Sequence, residues 1–360
     1  AENLTTLNLR GCQALASLGE NIGKLVNLKT LTLSGCKVLK ELPEGFGNLI
    51  QLTALDLSDC ERLERLSSDI GNLQVSTLTL RGCKLLKAVP ESFGKLDKLT
   101  KLNFYDCAAL ESLPESIGNL TKVTEIDVSQ CTALTSLPAS LGQLTGLKKL
   151  TMPRTGLTTL PAAISSLSAL EELDVTGKEG TPGIRGVAAD VFSGLTKLKK
   201  LNASNNSFSG DLSWLKNLSA LQTLRLDGNQ LSGQLDLSQF SPNLTDVYLS
   251  NNKLEGNLNG ISTLTKVRNL YLEHNLLSGE LPAELGNCST LSYFYLSNNN
   301  ITGTIPVEVA KMNLGYSGLK LNRMSGEIPA EVLSSAVWKK LYPETNIYPQ
   351  QEGYGFSNVK

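Results

Sequence analysis

Histidine is almost missing from this 360-residue chain, in which His274 stands alone. Acid–base or triad catalysis with histidine would need that one side chain beside a positioned nucleophile in a pocket that excludes water. Net charge is equally scarce. The 33 Lys and Arg are matched by 34 Asp and Glu, so no global field recruits nucleic acid or an anionic membrane. No apolar run approaches the roughly 20 residues needed to cross a bilayer, and no signal peptide precedes Ala1. No transmembrane segment is therefore expected. The cysteines include no CxxC pair, the tight spacing that would bring thiolates to one ion, so neither a metal nor another cofactor is predicted. Carboxylates such as Asp56, Asp127 and Asp174 read as solvated surface groups. About 20 non-repeat residues at the C-terminus are too few for an added catalytic domain. The chain is expected not to be an enzyme.

What is present is a repeat. Leu4, Leu7 and Leu9 followed by Cys12 open a pattern that recurs fourteen times and closes with Leu314, Ser317 and Leu319 followed by Asn322. Its period is 23 or 24 residues, with one exception of 28 in the irregular repeat 170–197. Each copy reads as a short strand and a return segment that cannot bury its apolar side alone, so copies must stack. The predicted fold is a curved, right-handed α/β-type solenoid. A parallel sheet lines the concave side, and loops, 3₁₀ turns and short helices form the convex side. Residues 1–337 read as one repeat domain and 338–360 as a C-terminal cap, with Trp338, Leu341, Tyr342, Ile347 and Tyr348 covering the last repeat. The first repeat lacks a polar capping segment, which suggests material missing upstream.

The ninth position of the motif divides the chain. Cys12, Cys36, Cys60, Cys83, Cys107 and Cys131 occupy it in the first six copies. Parallel strands about 4.8 Å apart point equivalent side chains the same way, so a column of buried, reduced thiols is predicted rather than disulfides. Asn206, Asn229, Asn252, Asn275, Asn299 and Asn322 occupy it later. An inward Asn both donates and accepts, so these predict a ladder of amides satisfying backbone groups.

The spacing LxxLxLxxC/N resembles the leucine-rich repeat family over about nine-tenths of the chain. The segments "LSGCKVLKELPEGFGNLIQL" and "DCAALESLPESIGNLTKV" are similar to repeats of plant intracellular immune receptors and related bacterial proteins. "LYLEHNLLSGELPAELGNCSTL", residues 270–291, is similar to the plant-specific subtype of receptor ectodomains. That likeness implies an extra short strand near Gly279 and Gly303, then a 3₁₀ or loop return after Pro282 and Pro306. The paired terminal cysteines of those ectodomains are absent at the C-terminal end. The tail "VWKKLYPETNIYPQQEGYGFSNVK" looks like tails of surface proteins of gut Bacteroidetes. The resemblance implies an extracellular or cell-surface protein, with a cytoplasmic immune-type sensor as the alternative. Between the two blocks, Gly177, Gly180, Pro182, Gly183 and Gly186 predict a surface loop, either a junction between subtypes or a contact for ligand.

The variable positions of LxxLxL point away from the core. Down the fifth position, small polar residues give way to Arg225, Tyr248, Tyr271 and Tyr295, while Tyr293 and Tyr316 occupy the third. Five of the nine tyrosines thus converge on four adjacent strands, with Glu273 and His274 nearby, His274 being expected on the outward side of its strand. Tyrosine offers apolar area, a hydrogen-bonding tip and little entropy to lose. These residues form the candidate binding patch for a protein or peptide ligand. Three other readings stay open: glycan capture by ring stacking, a structural spacer, and a fragment of an immune-type receptor.

Overall fold

The computed structural model describes residues 3–181, 183–341 and 344–359; Pro182 and Tyr342, named above, lie outside them. The chain divides into two compact units, residues 1–178 with 182–184, and residues 185–360 with 179–181. In the first, eight parallel strands run from Thr6–Asn8 to Glu172–Asp174, one per repeat, each paired with the next in chain order. Leu7, Leu31, Leu55 and Leu78 lie in register. In the second, six parallel strands do the same: Lys200–Asn202, Thr223–Arg225, Asp246–Tyr248, Asn269–Tyr271, Tyr293–Tyr295 and Tyr316–Gly318. The central residue of each later strand is buried and its neighbours look outward, as a two-residue side-chain period requires. A fully buried leucine contributes about 1.5–3 kcal/mol, and the stack buries several per repeat.

After the strand of every repeat except Glu172–Asp174 the backbone turns through one residue in the left-handed region, for example Asp59, Asp106, Asn251, His274 and Asn298. The ninth residue then decides where the chain goes. Each cysteine from Cys36 to Cys131 donates its thiol to a carbonyl of the preceding repeat at 3.1–3.2 Å. Having little capacity to accept, it leaves the backbone to close a second turn, as Leu39 N–H does on the Cys36 carbonyl at 3.1 Å. Asparagine does more. Asn252 Nδ2 donates to the carbonyls of Leu226 and Leu249, both at 3.0 Å, while its Oδ1 accepts from Leu231 N–H at 3.1 Å. That amide lies two residues beyond the preceding rung, and holding it extends the exiting chain.

The extra strands expected at Gly279 and Gly303 are accordingly present as Ser278–Glu280 and Asn300–Thr302, followed by 3₁₀ turns at Ala283–Asn287 and Val307–Lys311. On the return side of the first unit, 3₁₀ turns stack so closely that a Cβ at Gly94 would meet the Ser116 carbonyl oxygen at 2.3 Å. The recurring glycine of "FGKL" and "IGNL" follows from that approach.

Two expectations need correction. Cys12 is exposed, and among the described residues it makes none of the thiol–carbonyl bonds that the other five make. The irregular repeat is not loop throughout. Arg185–Val187 pairs with Ser207–Gly210, and Ala188–Phe192 forms a helix burying Ala188, Val191 and Phe192. The Phe192 ring lies 5.1 Å from Phe208 and 5.5 Å from Trp214, so apolar residues at helical spacing outweigh the preceding glycines.

Candidate functional site

The outward face of the first unit's sheet is internally satisfied. At the fifth position, Asp56 accepts from both the amide and the hydroxyl of Ser58, at 2.9 and 2.6 Å. Asp127 does the same for Ser129, and Asp174 for Thr176. These carboxylates are not simply solvated, as the sequence suggested: they cap the turn at the end of the strand. Lys101 and Lys149 pair across strands with Glu125 at 2.9 Å and Glu172 at 3.4 Å.

In the second unit the fifth position changes chemistry. Arg225, Tyr248, Tyr271 and Tyr295 are in register on adjacent strands and form one continuous stack. The Arg225 guanidinium lies 4.3 Å over the Tyr248 ring. Tyr248 and Tyr271 stack at 4.7 Å and 14°, Tyr271 and Tyr295 at 4.8 Å and 19°. Sheet spacing sets this separation. The stack stops at Gly318, where a Cβ would sit 3.0 Å from Tyr295 Cδ1. A second pair, Tyr293 and Tyr316, stacks at 5.5 Å and 16° at the third position, and Tyr316 is 59% exposed. Burial is the main cause that raises the three stacked phenols, Tyr271 to about 12, so they remain neutral.

The tyrosines displace the turn-capping acid. Ser250 and Ser297 stand two residues after Tyr248 and Tyr295, as Ser58 and Ser129 stand after Asp56 and Asp127, and both hydroxyls are buried with no hydrogen-bond partner among the described residues. Sequence reasoning missed these serines, although the contrast of "LDLSDC" and "IDVSQC" with "VYLSNN" and "FYLSNN" carries the signal. Glu273 lies between them, as the bonds from Asn251 N–H to the Glu273 carbonyl and from His274 N–H to the Ser297 carbonyl establish. It is half-buried, and burial raises its carboxyl above the ordinary range, against the smaller opposing pull of His274 and Lys320. His274 is off the strand: at φ 54° it occupies the left-handed turn, with Nε2 3.4 Å from Asn298 Nδ2. The structure thus brings Arg225, the five tyrosines and Glu273 onto one face, with His274 at its rim.

The sequence pattern of the family described as "Leucine-rich repeat region" matches residues 46–152 and 78–255, which together exceed half the chain. This chain belongs to the leucine-rich repeat family. A second pattern, "Leucine Rich Repeat", matches 27–49, 266–288 and 290–312. Among solved structures, this leucine-rich repeat protein is similar to one from Leptospira interrogans at 28% identity and a TM-score of 0.70, covering 91% of this chain and 80% of that one. It is also similar to the ectodomain of the Arabidopsis receptor kinase HAESA, solved in complex with an IDA peptide hormone. There the identity is 25%, the TM-score 0.59, and the coverage 87% of this chain but only 58% of that one. An internalin of Listeria monocytogenes shares the fold at 20% identity and a TM-score of 0.60, covering 100% and 88%. No curated protein sequence matches this chain. Leucine-rich repeat domains are generally recognition modules rather than catalysts, and among the described residues no helix is long and apolar enough to cross a membrane.

Proposed function

We propose that this leucine-rich repeat protein is a non-enzymatic recognition module that binds a protein or peptide through the tyrosine-bearing strands of its last four repeats. One observation carries the reading: the carboxylate that holds the turn hydroxyl at Asp56, Asp127 and Asp174 is replaced by tyrosine at Tyr248 and again at Tyr295, leaving the hydroxyls of Ser250 and Ser297 buried and, among the described residues, unpaired. Each such group costs about 1–3 kcal/mol. A stability-only sheet would keep Asp there, and breaches of local rules of this kind concentrate at functional sites.

Stack geometry favours peptide over sugar. Both faces of the Tyr271 ring are covered by its neighbours, and Tyr248 is covered by Arg225 and Tyr271. Stacking a sugar needs an open ring face, whereas the exposed edges and hydroxyls suit a peptide's amides and side chains. The likeness to a receptor ectodomain bound to a peptide hormone supports the same class of ligand. The likeness to a Leptospira protein and the Bacteroidetes-like tail support a bacterial surface or secreted protein acting in host or cell–cell contact.

The test is an array of extracellular proteins and polysaccharides probed with the full chain and with a Tyr248→Ala, Tyr271→Ala, Tyr295→Ala variant shown to be folded. A saturable protein hit lost in the variant is expected. Binding unchanged in the variant, or glycan binding alone, would overturn the reading, and silence throughout would favour a spacer.

A further inference from the structure

Resting on that reading, we infer that Glu273 anchors a cationic side chain, a guanidinium or an ammonium, of the bound peptide, so that the partner is a basic segment lying across the tyrosine stack. On the strands that succeed one another once per repeat, the carboxylates have partners. Asp56, Asp127 and Asp174 hold turn hydroxyls. Glu125 and Glu172 pair with lysines. Asp227 accepts from Ser204 Oγ at 2.8 Å, and Asp246 from Thr245 Oγ1 at 2.6 Å and from Asn269. Glu273 is the exception: among the described residues its carboxylate takes part in no hydrogen bond and no ion pair.

Its surroundings make the vacancy specific. Backbone bonds align Ser250, Glu273, Ser297 and Lys320 in one row. The two serine hydroxyls flanking Glu273 are buried and unpartnered. Lys320 stands two strands away, roughly 9–10 Å at the usual strand spacing, where it acts on the carboxyl at a distance but forms no ion pair with it among the described residues. Tyr271 and Tyr295 precede Glu273 and Ser297 by two residues and bring the stack to the same edge. A half-buried carboxylate is costly to keep without a counter-charge. An incoming cation supplies it, with ring edges and hydroxyls alongside to receive the carbon stem and remaining donors of arginine or lysine. With Asp227 and Asp246 already held by neighbouring side chains, Glu273 is the carboxylate of the patch left for a cation.

A phage-displayed library of random short peptides, selected on the full chain with Tyr248→Ala, Tyr271→Ala, Tyr295→Ala as counter-selection, tests both layers. Enriched peptides are expected to share an Arg or Lys whose replacement by citrulline or norleucine weakens binding about tenfold or more. Glu273→Gln, nearly isosteric, should cost a similar factor on the parent peptide and nothing further on the neutralised one, the coupling that marks a direct pair. Exchanging Arg for Lys separates a forked guanidinium contact from a point charge. Peptides that depend on the tyrosines but contain no shared cation, or ignore Glu273→Gln, overturn the anchor and leave the recognition reading standing. Failure to enrich any tyrosine-dependent peptide overturns the reading itself, and the anchor with it.

Discussion

Replacing Tyr295 by Asp and, separately, by Ala isolates what the tyrosine displaces. Both variants lose the ring and its 4.8 Å stack on Tyr271, a contact of about 0.5–1.5 kcal/mol beyond area, so that loss cancels between them. Only Asp can accept from Ser297, as Asp127 accepts from the amide and hydroxyl of Ser129. Hydrogen bonds to a charged acceptor contribute about 1.5–3 kcal/mol. Glu273 lies close enough to influence residue 295, and repulsion between the two carboxylates takes back up to about 1 kcal/mol at this partly exposed site. Tyr295→Asp should therefore be more stable than Tyr295→Ala by about 1–2 kcal/mol, measured by urea unfolding with native-state hydrogen exchange at Ser297 and Asn298 to localise the gain, since repeat arrays need not unfold in one step. Equal stability of the two variants would show that Ser297 is not waiting for an acceptor, and the case that the stack is kept for binding would fall with it.

The two kinds of rung should differ in cost. Asn252→Ala strands two backbone carbonyls and the Leu231 amide and is expected to lose about 2–4 kcal/mol, whereas Cys83→Ala, which breaks one weak thiol bond, should lose about 1 kcal/mol; comparable losses in urea melts would refute the distinction. Thiol labelling of the native chain should modify Cys12 at once and the other cysteines only on unfolding. Burial raises Cys60 and Cys131 to about 12, and the thiolate is the reactive form; early labelling of more than one site would contradict the buried column. A raised carboxyl means that the folded state holds a proton longer at Glu273 than the unfolded state does. The stability of the natural chain relative to Glu273→Gln should thus decline as pH rises through and above the ordinary carboxyl range, and a flat difference would exclude the burial that the free carboxylate implies.

The leucine period made the strand register legible, because it follows from an inward position repeated many times, while the extra strands came from the likeness to the plant-specific subtype. The tyrosine rows were legible because strand alternation assigns a side to every residue. What the sequence hid was pairwise. That Asp56 caps Ser58 is invisible until the turn is seen, and only then do Tyr248 and Tyr295 become departures that strand a hydroxyl. His274 was misplaced because a left-handed turn is ordinarily read as a glycine position, and here the same backbone is held at His274 and Asn298 by the stacked repeats. The helix Ala188–Phe192 was obscured by the glycines before it.

The tail after the fourteenth repeat has a consequence for solubility. Leu319 N–H donates to the Asn346 carbonyl, and Leu321 N–H to that of Pro349. Gln350 reproduces a ladder rung, donating to the Leu319 carbonyl at 3.1 Å and accepting from Met324 N–H at 3.2 Å, and Gly355–Phe356 closes on Ser325–Gly326. The backbone donors that would invite a strand from another molecule are already in use at that edge. A row of backbone donors taken up by the chain's own tail is a poor template for edge-to-edge growth at that end, so the aromatic strands beside it can face outward for a partner without that edge recruiting a second copy.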